Sequence, residues 1–237
     1  MISLLSSFRE IRASLGLGNG LLFALARLVN RTTRGRSRLL KYYFVAQPVP
    51  PKPSPAFSRP SKTRIYRAVP GDVIIQQFPR PPQVIAKRFA DGALCFVAEQ
   101  AGRLVGFLWI KQESYCEDEV RCHYFLHPPD QLVWDFDTYV APEFRMSRAF
   151  AQLWEAANEF LRERGYRWSI SRISAFNAGS LASHRRLGIV HLNAGIFFVS
   201  GPVQLAAFSQ RPFLHVAIGP RHSPKRDFHA PVERPSP

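Results

Sequence analysis

Two arginines and a serine in one short turn are the residues of this chain best suited to hold an anion. The segment Val140-Ala-Pro-Glu-Phe-Arg145-Met-Ser147-Arg148 takes a strand to a proline and then opens a helix. The first N–H groups of a helix and the positive end of its dipole attract anions, and arginine adds bidentate charge. Ser147 is also a favoured N-cap type. We therefore predict an anion site at this turn.

Two aspartates on the strand before the turn could carry out proton chemistry. In Leu132–Val140, Asp135, Asp137 and Tyr139 stand at alternate positions, so a two-residue period places them on one face. Neighbouring carboxylates raise the pKa of one of them, which suits a general base. An Asp-x-Asp pair also resembles the metal clamp of nucleotide-sugar glycosyltransferases. Those enzymes require a nucleotide-binding αβ layer before the motif, and the sequence does not indicate one.

A second short helix carries a further group of polar residues. It reads Asn177-Ala-Gly-Ser180-Leu-Ala-Ser-His184-Arg-Arg-Leu-Gly188, with an asparagine cap at its start and a glycine at its end. The ordinary pKa of histidine, near 6.5, would let His184 donate a proton around neutrality. A structural role for a lone histidine on a helix is the alternative.

Hydrophobic periodicity predicts the elements that must position these residues. The predicted strands and helices, in chain order, are strand Thr63–Val69, helix Gln83–Phe89, hairpin Leu94–Glu99 with Leu104–Ile110, hairpin Glu119–Leu126 with Leu132–Val140, a helix from Phe150 that ends at Gly165, strand Trp168–Ile173, helix Gly179–Leu187 and a final strand His191–Val199. Mixed strands flanked by helices make this an α+β domain with a central twisted sheet.

This order of elements, over residues 63–201, resembles that of the GNAT N-acetyltransferases. The hairpin at residues 97–108 and the pattern from Asn177 to Gly188 carry the likeness together with the arginine turn. The resemblance implies a GNAT-like fold and an N-acyltransferase. Such an enzyme moves an acetyl or longer acyl group from acyl-CoA to an amine, here unidentified, by direct attack on the thioester.

The resemblance also implies roles for particular residues, and it implies no metal. The residues expected to bind acetyl-CoA or another acyl-CoA are the strand end Tyr139, Val140 and Ala141, the turn residues Arg145, Ser147, Arg148, Ala149 and Phe150, and the helix residues Asn177 and Ser180. His184 takes the place of the tyrosine that protonates the departing thiolate. Asp137, with Asp135 beside it, is the expected base.

The sequence departs from the family pattern at two points. The pattern Gln/Arg-x-x-Gly-x-Gly/Ala has glycines where this chain has Arg148 and Phe150, and side chains there restrict close approach and positive φ. The position of the family's glutamate base is Phe136, one residue out of register with the aspartates, an offset that a β-bulge would correct. These departures leave open a non-catalytic GNAT-like module docked on a membrane or an acidic partner.

The net charge of +15 is concentrated at the N-terminus. Residues 1–67 contain 13 Lys/Arg and a single acid, whereas residues 68–217 are close to neutral. We predict a basic helical arm over residues 1–45, a Pro-rich linker over 46–62, the GNAT-like domain over 63–219 and a disordered tail over 220–237. The near-neutral domain lacks a nucleic-acid-binding signature, so no nucleic acid is expected as a partner.

The arm has an apolar stripe at helical spacing, formed by Leu21, Leu22, Leu25, Leu28 and Val29. No stretch is apolar enough to cross a bilayer. The stripe either packs on the domain or, with its basic neighbours, lies on an anionic membrane surface; a mitochondrial transit peptide is a third reading. We expect a cytoplasmic protein whose residues 1–45 can hold it peripherally at the inner face of a membrane.

Cysteines and a run of acids complete the candidate residues. Three cysteines without zinc spacing favour a reducing compartment, although Cys116 and Cys122, with His123 and His127 nearby, leave a metal site as an alternative. The acidic run 117–119 indicates either a cationic acceptor or a solvated turn.

Overall fold

The computed structural model describes residues 2–53, 61–219 and 222–231, and the side chains of residues 2–14 lie outside the description. Its helices are α1 Ile2–Thr32, α2 Pro82–Ala90, α3 Ala149–Glu163 and α4 Ala178–Arg185. Its strands are β1 Ser37–Pro48, β2 Arg64–Ala68, β3 Leu94–Gln100, β4 Arg103–Gln112, β5 Ser114–Cys116, β6 His123–His127, β7 Leu132–Val140, β8 Trp168–Ser174, β9 Val190–Ser200, β10 Val203–Phe208, β11 Leu214–Ile218 and β12 Lys225–His229. The predicted α+β class, a mixed sheet with flanking helices, is confirmed.

The chain forms two units. The first consists of Met1–Gln47, Cys116–Phe125 and Ser171–Pro237, and the second of Pro48–Tyr115 and Leu126–Ile170. The domain boundary predicted near residue 62 therefore does not coincide with a division of the structure. The described part of the predicted linker also differs from the expectation, because β1 continues through Pro48.

The second unit is built on strands in the order β7-β4-β3-β2, which pair antiparallel. The first three residues of β8 run parallel to the start of β7, with Leu132 opposite Trp168. The predicted β3–β4 hairpin is confirmed, with Ala101 and Gly102 at positive φ in its turn. Helix α3 buries the apolar stripe predicted from the sequence, including Leu153 and Trp154.

The core of the second unit lies between this sheet and the segment that contains α2. Ile85 of α2 and Phe78 pack against the sheet residues Phe107 and Trp109. Both sheet residues are fully buried. Large apolar side chains on one face of a strand require a covering layer, and α2 with the short 3-10 helix Val73–Gln77 supplies it.

In the first unit the strand order is β11-β10-β9-β1, followed by the residues of β8 from Ser171 onward. Strand β1 pairs antiparallel with β9 over ten register positions, from Ser37 opposite Ser200 to Ala46 opposite Val190. The prediction that residues 1–45 form a separate arm is therefore wrong for residues 37–45. The consecutive Tyr, Phe and Val side chains at residues 42–45 have the β propensity that such a strand needs.

Two further predictions about strands are wrong. Residues 119–126 do not form a hairpin with β7, because β6 belongs to a separate three-stranded sheet with the order β12-β6-β5. The tail is not disordered over residues 222–231, since they contain β12. Phe228 of that strand is buried and its ring lies 5.1 Å from the ring of Phe44. Composition alone assigned this segment to disorder, whereas pairing with β6 and burial of Phe228 and Arg226 hold it in the fold.

Helix α1 contacts its own unit through one face and leaves the opposite face open. Asn19 donates to the hydroxyl of Tyr43 at 2.9 Å, and the ring of Phe23 lies 5.3 Å from that of Phe176. The leucines on the other face are exposed, with relative accessibilities between 48% and 58% at Leu17, Leu21, Leu25 and Leu28. The helix is packed on the protein, and in the predicted stripe Leu22 and Val29 are half-buried whereas Leu21, Leu25 and Leu28 are exposed.

None of the helices in the described residues combines the length and the hydrophobicity of a bilayer-spanning segment. Within residues 2–53, 61–219 and 222–231 there is also no group of three His, Cys, Asp or Glu side chains placed to hold a metal ion. Cys95 and Cys122 are buried free thiols and Cys116 is exposed.

Candidate functional site

Strand β7 contains a β-bulge at the predicted catalytic residues. Phe107 of β4 stands opposite Tyr139, but Trp109 stands opposite Phe136, so β7 has one residue more than its partner across this interval. Asp137 adopts a positive φ of 48° there. The bulge considered from the sequence is thus present. An extra residue breaks the two-residue alternation of the strand.

The bulge changes which side chains share a face. Phe136 and Tyr139 both pack against the core beside Trp109 and Phe107. Asp135 instead accepts a hydrogen bond of 2.7 Å from the hydroxyl of Ser169 on β8. The prediction that Asp135, Asp137 and Tyr139 share one face is therefore wrong, and the two carboxylates bind different partners.

Asp137 forms a cluster with two arginines. Arg80 Nε donates to Asp137 Oδ2 at 2.8 Å and Arg80 Nη2 to Oδ1, while Arg88 Nη1 also donates to Oδ2. Burial by itself would raise the pKa of Asp137, but the hydrogen bonds and charges of Arg80 and Arg88 outweigh it and lower the pKa. A general base needs a pKa near the working pH. The geometry therefore opposes the role of base that the sequence indicated for Asp137.

Aromatic rings surround the two guanidinium groups. Arg88 lies over Trp109 and Phe136, with its guanidinium carbon 5.4 Å and 5.1 Å from the ring centroids, and Arg80 lies over Phe107 at 5.8 Å. Sequence reasoning missed both arginines. They come from α2 and the segment before it, and only the fold brings them to a bulge about fifty residues later in the chain.

Gly106 allows the end of β7 to lie close to β4. A Cβ atom built on Gly106 would stand 2.4 Å from the carbonyl oxygen of Tyr139 and 3.3 Å from the Cα of Val140. These are backbone atoms, which cannot move aside as a flexible side chain can. The glycine of the Val-Gly-Phe sequence in the early hairpin therefore positions Tyr139 and Val140, two of the residues predicted to bind the acyl donor.

The arginine turn opens α3 as predicted. Arg145, Met146, Ser147 and Arg148 are all exposed, Met146 almost completely. The hydroxyl of Ser147 accepts from the amide of Ala149 at 3.1 Å and donates to the carbonyl of Phe144 at 2.6 Å. The N-cap position itself is occupied by Arg148. Ser147 thus supports the helix start from one residue earlier than a standard cap.

The backbone of the turn tolerates the missing glycines. Arg148 has φ −82° and ψ 5°, and Phe150 lies inside α3, so neither position needs the positive φ that glycine favours. Arg145 Nε donates to the carbonyl of Val140 at 3.3 Å, which ties the turn to the strand end. Ala149 is buried and Phe150 is half-buried. The turn therefore presents positive charge and a helix N-terminus to solvent.

In the first unit, the predicted helix cap at Asn177 is confirmed. The side chain of Asn177 accepts from the amide of Ser180 at 3.0 Å. Gly188 has a positive φ of 79°, as a terminating glycine requires. The sequence pattern identified this local structure correctly.

His184 is buried within α4 and its ring is bonded to its own helix. Its Nδ1 lies 2.8 Å from the carbonyl oxygen of Ser180. A carbonyl oxygen can only accept, so Nδ1 holds the proton, and Nε2 of the neutral ring can accept a proton but not donate one. Burial lowers the pKa of His184, which favours this neutral form. The arrangement counts against His184 as the proton donor to a thiolate.

The acidic run of the first unit is occupied by internal contacts. Arg172 donates to both carboxylate oxygens of Glu117, with Nη2 to Oε1 at 2.7 Å, and lies 3.1 Å from Glu119. The hydroxyl of Tyr42 donates to Glu119 at 2.5 Å. Glu117 and Glu119 therefore hold a loop to strands β1 and β8, and the hint of a cationic acceptor drawn from them loses its basis.

Comparison with known proteins gives one family. The model of the acetyltransferase (GNAT) family matches residues 63–189, more than half of the chain. A search of curated proteins found no match.

Among solved structures, similar folds include a conserved protein of unknown function from Staphylococcus epidermidis (12% identity, TM-score 0.49, 73% of this chain and 65% of that one). A tandem GNAT protein from the clavulanic acid biosynthesis pathway is comparable (14% identity, TM-score 0.49, 74% and 59%). A GNAT family acetyltransferase from Elizabethkingia anophelis with acetyl-CoA bound also matches (13% identity, TM-score 0.38, 54% and 75%). The chain spans less than two thirds of the length of the first two.

Proposed function

Because this chain belongs to the GNAT acetyltransferase family, we propose that it is an N-acyltransferase which moves an acetyl or longer acyl group from acyl-CoA to an amine. The observation that carries the proposal is the exposed turn Arg145–Arg148 at the head of α3, directly after the bulged strand β7. A helix N-terminus that also holds two exposed arginines suits the diphosphate of CoA.

In this proposal Arg145 and Arg148 bind the diphosphate, and the strand end Tyr139–Val140 holds the pantetheine. The amide of Ala141 donates to the carbonyl of Val105 at 2.8 Å, so it is not the donor that stabilises the developing oxyanion. That role is assigned to the main-chain amide of Val140, because bonded and non-bonded positions alternate in an antiparallel pair and Tyr139, like Ala141, is at a position that faces β4. One such donor typically contributes about 3 kcal/mol to the transition state.

The reaction itself is a direct displacement. The neutral amine attacks the thioester carbon, a C–N bond forms, and the C–S bond breaks as the tetrahedral intermediate collapses. The amine loses one proton and the CoA thiolate takes up one, so the products are an amide and CoA.

Isothermal calorimetry with CoA tests the proposal. The native protein should bind, and Arg148→Ala should weaken binding about tenfold, as the loss of one charge-assisted contact would. Arg164→Ala is the matched control, because Arg164 caps the opposite end of α3 and its loss changes the net charge equally. If the native protein does not bind CoA or acetyl-CoA, the enzymatic proposal fails and the non-catalytic GNAT-like module takes its place.

A second proposal concerns α1, and it rests on the exposed leucine face. We infer that α1 docks the protein peripherally on an anionic lipid surface. Arg27 and Arg31 are exposed on the same helix, and the sequence has no acidic residue between Glu10 and Asp72. Half-exposed leucines beside arginines are the composition of an interfacial helix. Each basic residue near such a surface adds about 1 kcal/mol.

Vesicle co-sedimentation tests the docking of α1. The protein should sediment with vesicles containing phosphatidylglycerol at low salt, and less at high salt because the charge attraction is screened. Exchange of Leu21 and Leu25 for serine should abolish sedimentation. Ala24→Ser, an exposed position on the same helix, should not. Equal sedimentation of the native and double-serine proteins would refute the docking surface.

A further inference from the structure

The second unit contains a cavity that the proposed acyl-donor residues do not use. The cavity has a volume of about 230 Å³, and its walls come mostly from the short helix Val73–Gln77 and from α2. Four apolar side chains form much of the lining, namely Ile75, Phe78, Ile85 and Phe89. A concave, mostly apolar cavity with few polar groups is the common form of a small-molecule site.

The charge at this cavity is positive. Among the described residues, Arg80 is the only charged one that lines the cavity. The side chain of Arg80 is 32% exposed, whereas those of its partners Asp137 and Arg88 are 13% and 12% exposed. Because one carboxylate faces two guanidinium groups, the cluster carries a net charge of +1. A ligand in the cavity therefore meets apolar walls and the edge of one guanidinium group.

Arg80 has hydrogen-bonding capacity beyond the contacts described. Two of its N–H groups donate to Asp137, and Nη1 donates to the carbonyl of Pro79 at 2.7 Å. Arginine has five N–H donors, so these contacts use three. The Asp137 carboxylate fixes the orientation of the guanidinium group, which lowers the entropic cost of binding a second anion.

The cavity lies beside the strand end assigned to the thioester. The ring of Phe78, in the cavity wall, stacks on Phe107 with centroids 4.4 Å apart. Phe107 in turn stacks on Tyr139 at 5.3 Å. A continuous stack of three rings thus joins the cavity wall to Tyr139. Arg80 of the lining also binds Asp137, two residues before Tyr139. An acceptor amine bound in the cavity would have to reach past Phe107 to the acyl group at Tyr139–Val140.

We propose that this cavity binds the acceptor, and that the acceptor is an amphiphilic amine with an apolar body and one anionic group, such as an apolar amino acid. This inference rests on the proposed function. A polycationic acceptor would meet the positive cluster and no lining carboxylate. The positive cluster and the apolar walls also disfavour the ammonium form of the acceptor, so the attacking amine is neutral without Asp137 acting as a base.

Matched acceptors test the proposal through release of the CoA thiol from acetyl-CoA. Phenylalanine and phenethylamine share the apolar body and the amine, and differ by the carboxylate. Phenylalanine should have a kcat/KM at least about tenfold higher, mostly through KM, and the polycation kanamycin should be a poor substrate. Arg80→Gln should reduce the preference for phenylalanine to near unity, and Arg80→Lys should retain part of it.

A second variant tests the cavity without disturbing the ion cluster. Ala86 is exposed and lines the cavity, so Ala86→Phe should obstruct it and raise the KM for phenylalanine at least about fivefold. Gln83→Phe places the same ring on an exposed position of α2 outside the lining, and it should leave KM unchanged. Thermal unfolding of both variants checks that the fold is intact.

The outcomes separate this inference from the function on which it rests. If CoA binds but kanamycin is the better acceptor, or phenethylamine equals phenylalanine, the acceptor class is wrong and the acyltransferase proposal stands. An unchanged KM in Ala86→Phe would remove the acceptor from this cavity. If CoA itself does not bind, the proposed function and this inference both fail.

Discussion

The second unit contains two pairs of arginines in opposite circumstances. Arg80 and Arg88 meet at the Asp137 carboxylate, where aromatic rings cover them. Arg145 and Arg148 lie on an exposed turn at the head of α3. Arginine therefore binds the carboxylate of a strand bulge in one pair and is exposed to solvent in the other pair.

Residue type alone therefore does not assign a function to these arginines. The pair at Asp137 is held by a carboxylate, so removal of that carboxylate should affect stability first, even though the partly exposed Arg80 also faces the proposed acceptor. The exposed pair contributes little to packing, so changing it should affect ligand binding first. Substitutions at the two pairs and at their neighbours should therefore separate effects on stability from effects on CoA binding.

The largest effect is expected from Asp137→Asn. Removal of the carboxylate charge leaves two largely covered guanidinium groups without their counter-ion, and we expect a loss of about 3 kcal/mol in the free energy of unfolding. Asp91→Asn is the control, because Asp91 forms an exposed pair with Lys87 and should cost less than about 0.5 kcal/mol. Urea denaturation measures both. Equal losses would mean that the buried pair is not held by Asp137.

The same variant predicts a pH dependence. The pKa of Asp137 is lower in the folded protein than in the unfolded chain, so its contribution is present above about pH 4 and is lost as the pH falls through the folded-state pKa. The difference in the free energy of unfolding between the native protein and Asp137→Asn should be constant between about pH 5 and pH 7. It should shrink as the solution becomes more acidic. A difference that does not narrow below about pH 4 would assign the effect to packing.

A smaller loss, about 2 kcal/mol, is expected from Gly106→Ala. The added methyl group meets the backbone of Tyr139 and Val140, so the strand end that carries the exposed turn must shift. CoA affinity should fall together with stability. Gly179→Ala, whose Cβ would meet its nearest neighbour only at 3.7 Å, is the control. Wild-type melting and affinity in Gly106→Ala would show that this close approach is unnecessary.

Arg145→Ala should weaken CoA binding about fivefold with little change in melting temperature. Its Nε contact with Val140 is exposed and contributes little to stability. The affinity of the native protein should fall as salt rises, and that of the variant should fall less steeply. A variant that loses stability but keeps its affinity would place Arg145 with the buried arginines.

The smallest effect is expected from His184→Phe. Because Nδ1 holds the proton and Nε2 has none to donate, we expect acetyl transfer to change by less than about twofold, whereas loss of a general acid typically costs at least a hundredfold. Steady-state kinetics of CoA release measures this. A loss near a hundredfold, with CoA affinity retained, would restore His184 as the proton donor.

Local patterns in the sequence predicted local structure well. The Asn177 cap, the Gly188 terminator and the β3–β4 hairpin depend on neighbouring residues, and all are confirmed. These features require only residue propensities and short-range hydrogen bonds, which a sequence displays directly. The bulge in β7 is different, because only comparison with the family's glutamate position at Phe136 suggested it.

Long-range pairing could not be predicted in the same way. Strand β1 adds to a sheet partner more than 140 residues away, and the Arg80–Asp137 pair joins residues 57 apart. Nothing in periodicity specifies which strand pairs with which, or which cation meets which carboxylate. The sequence could not show that the pKa of Asp137 is lowered, since the two arginines responsible come from α2 and the segment before it.

A crystal structure of the protein with CoA bound would show directly whether the turn at the head of α3 holds the diphosphate. We expect the diphosphate to lie at the head of α3. One of its oxygens should be within about 3.5 Å of the Arg148 guanidinium group and of a main-chain amide in Ala149–Ala151. The Arg80–Asp137–Arg88 cluster should be unchanged and free of phosphate. A diphosphate bound at Arg80 and Arg88, with the α3 turn empty, would show that the CoA site has been assigned to the wrong pair of arginines.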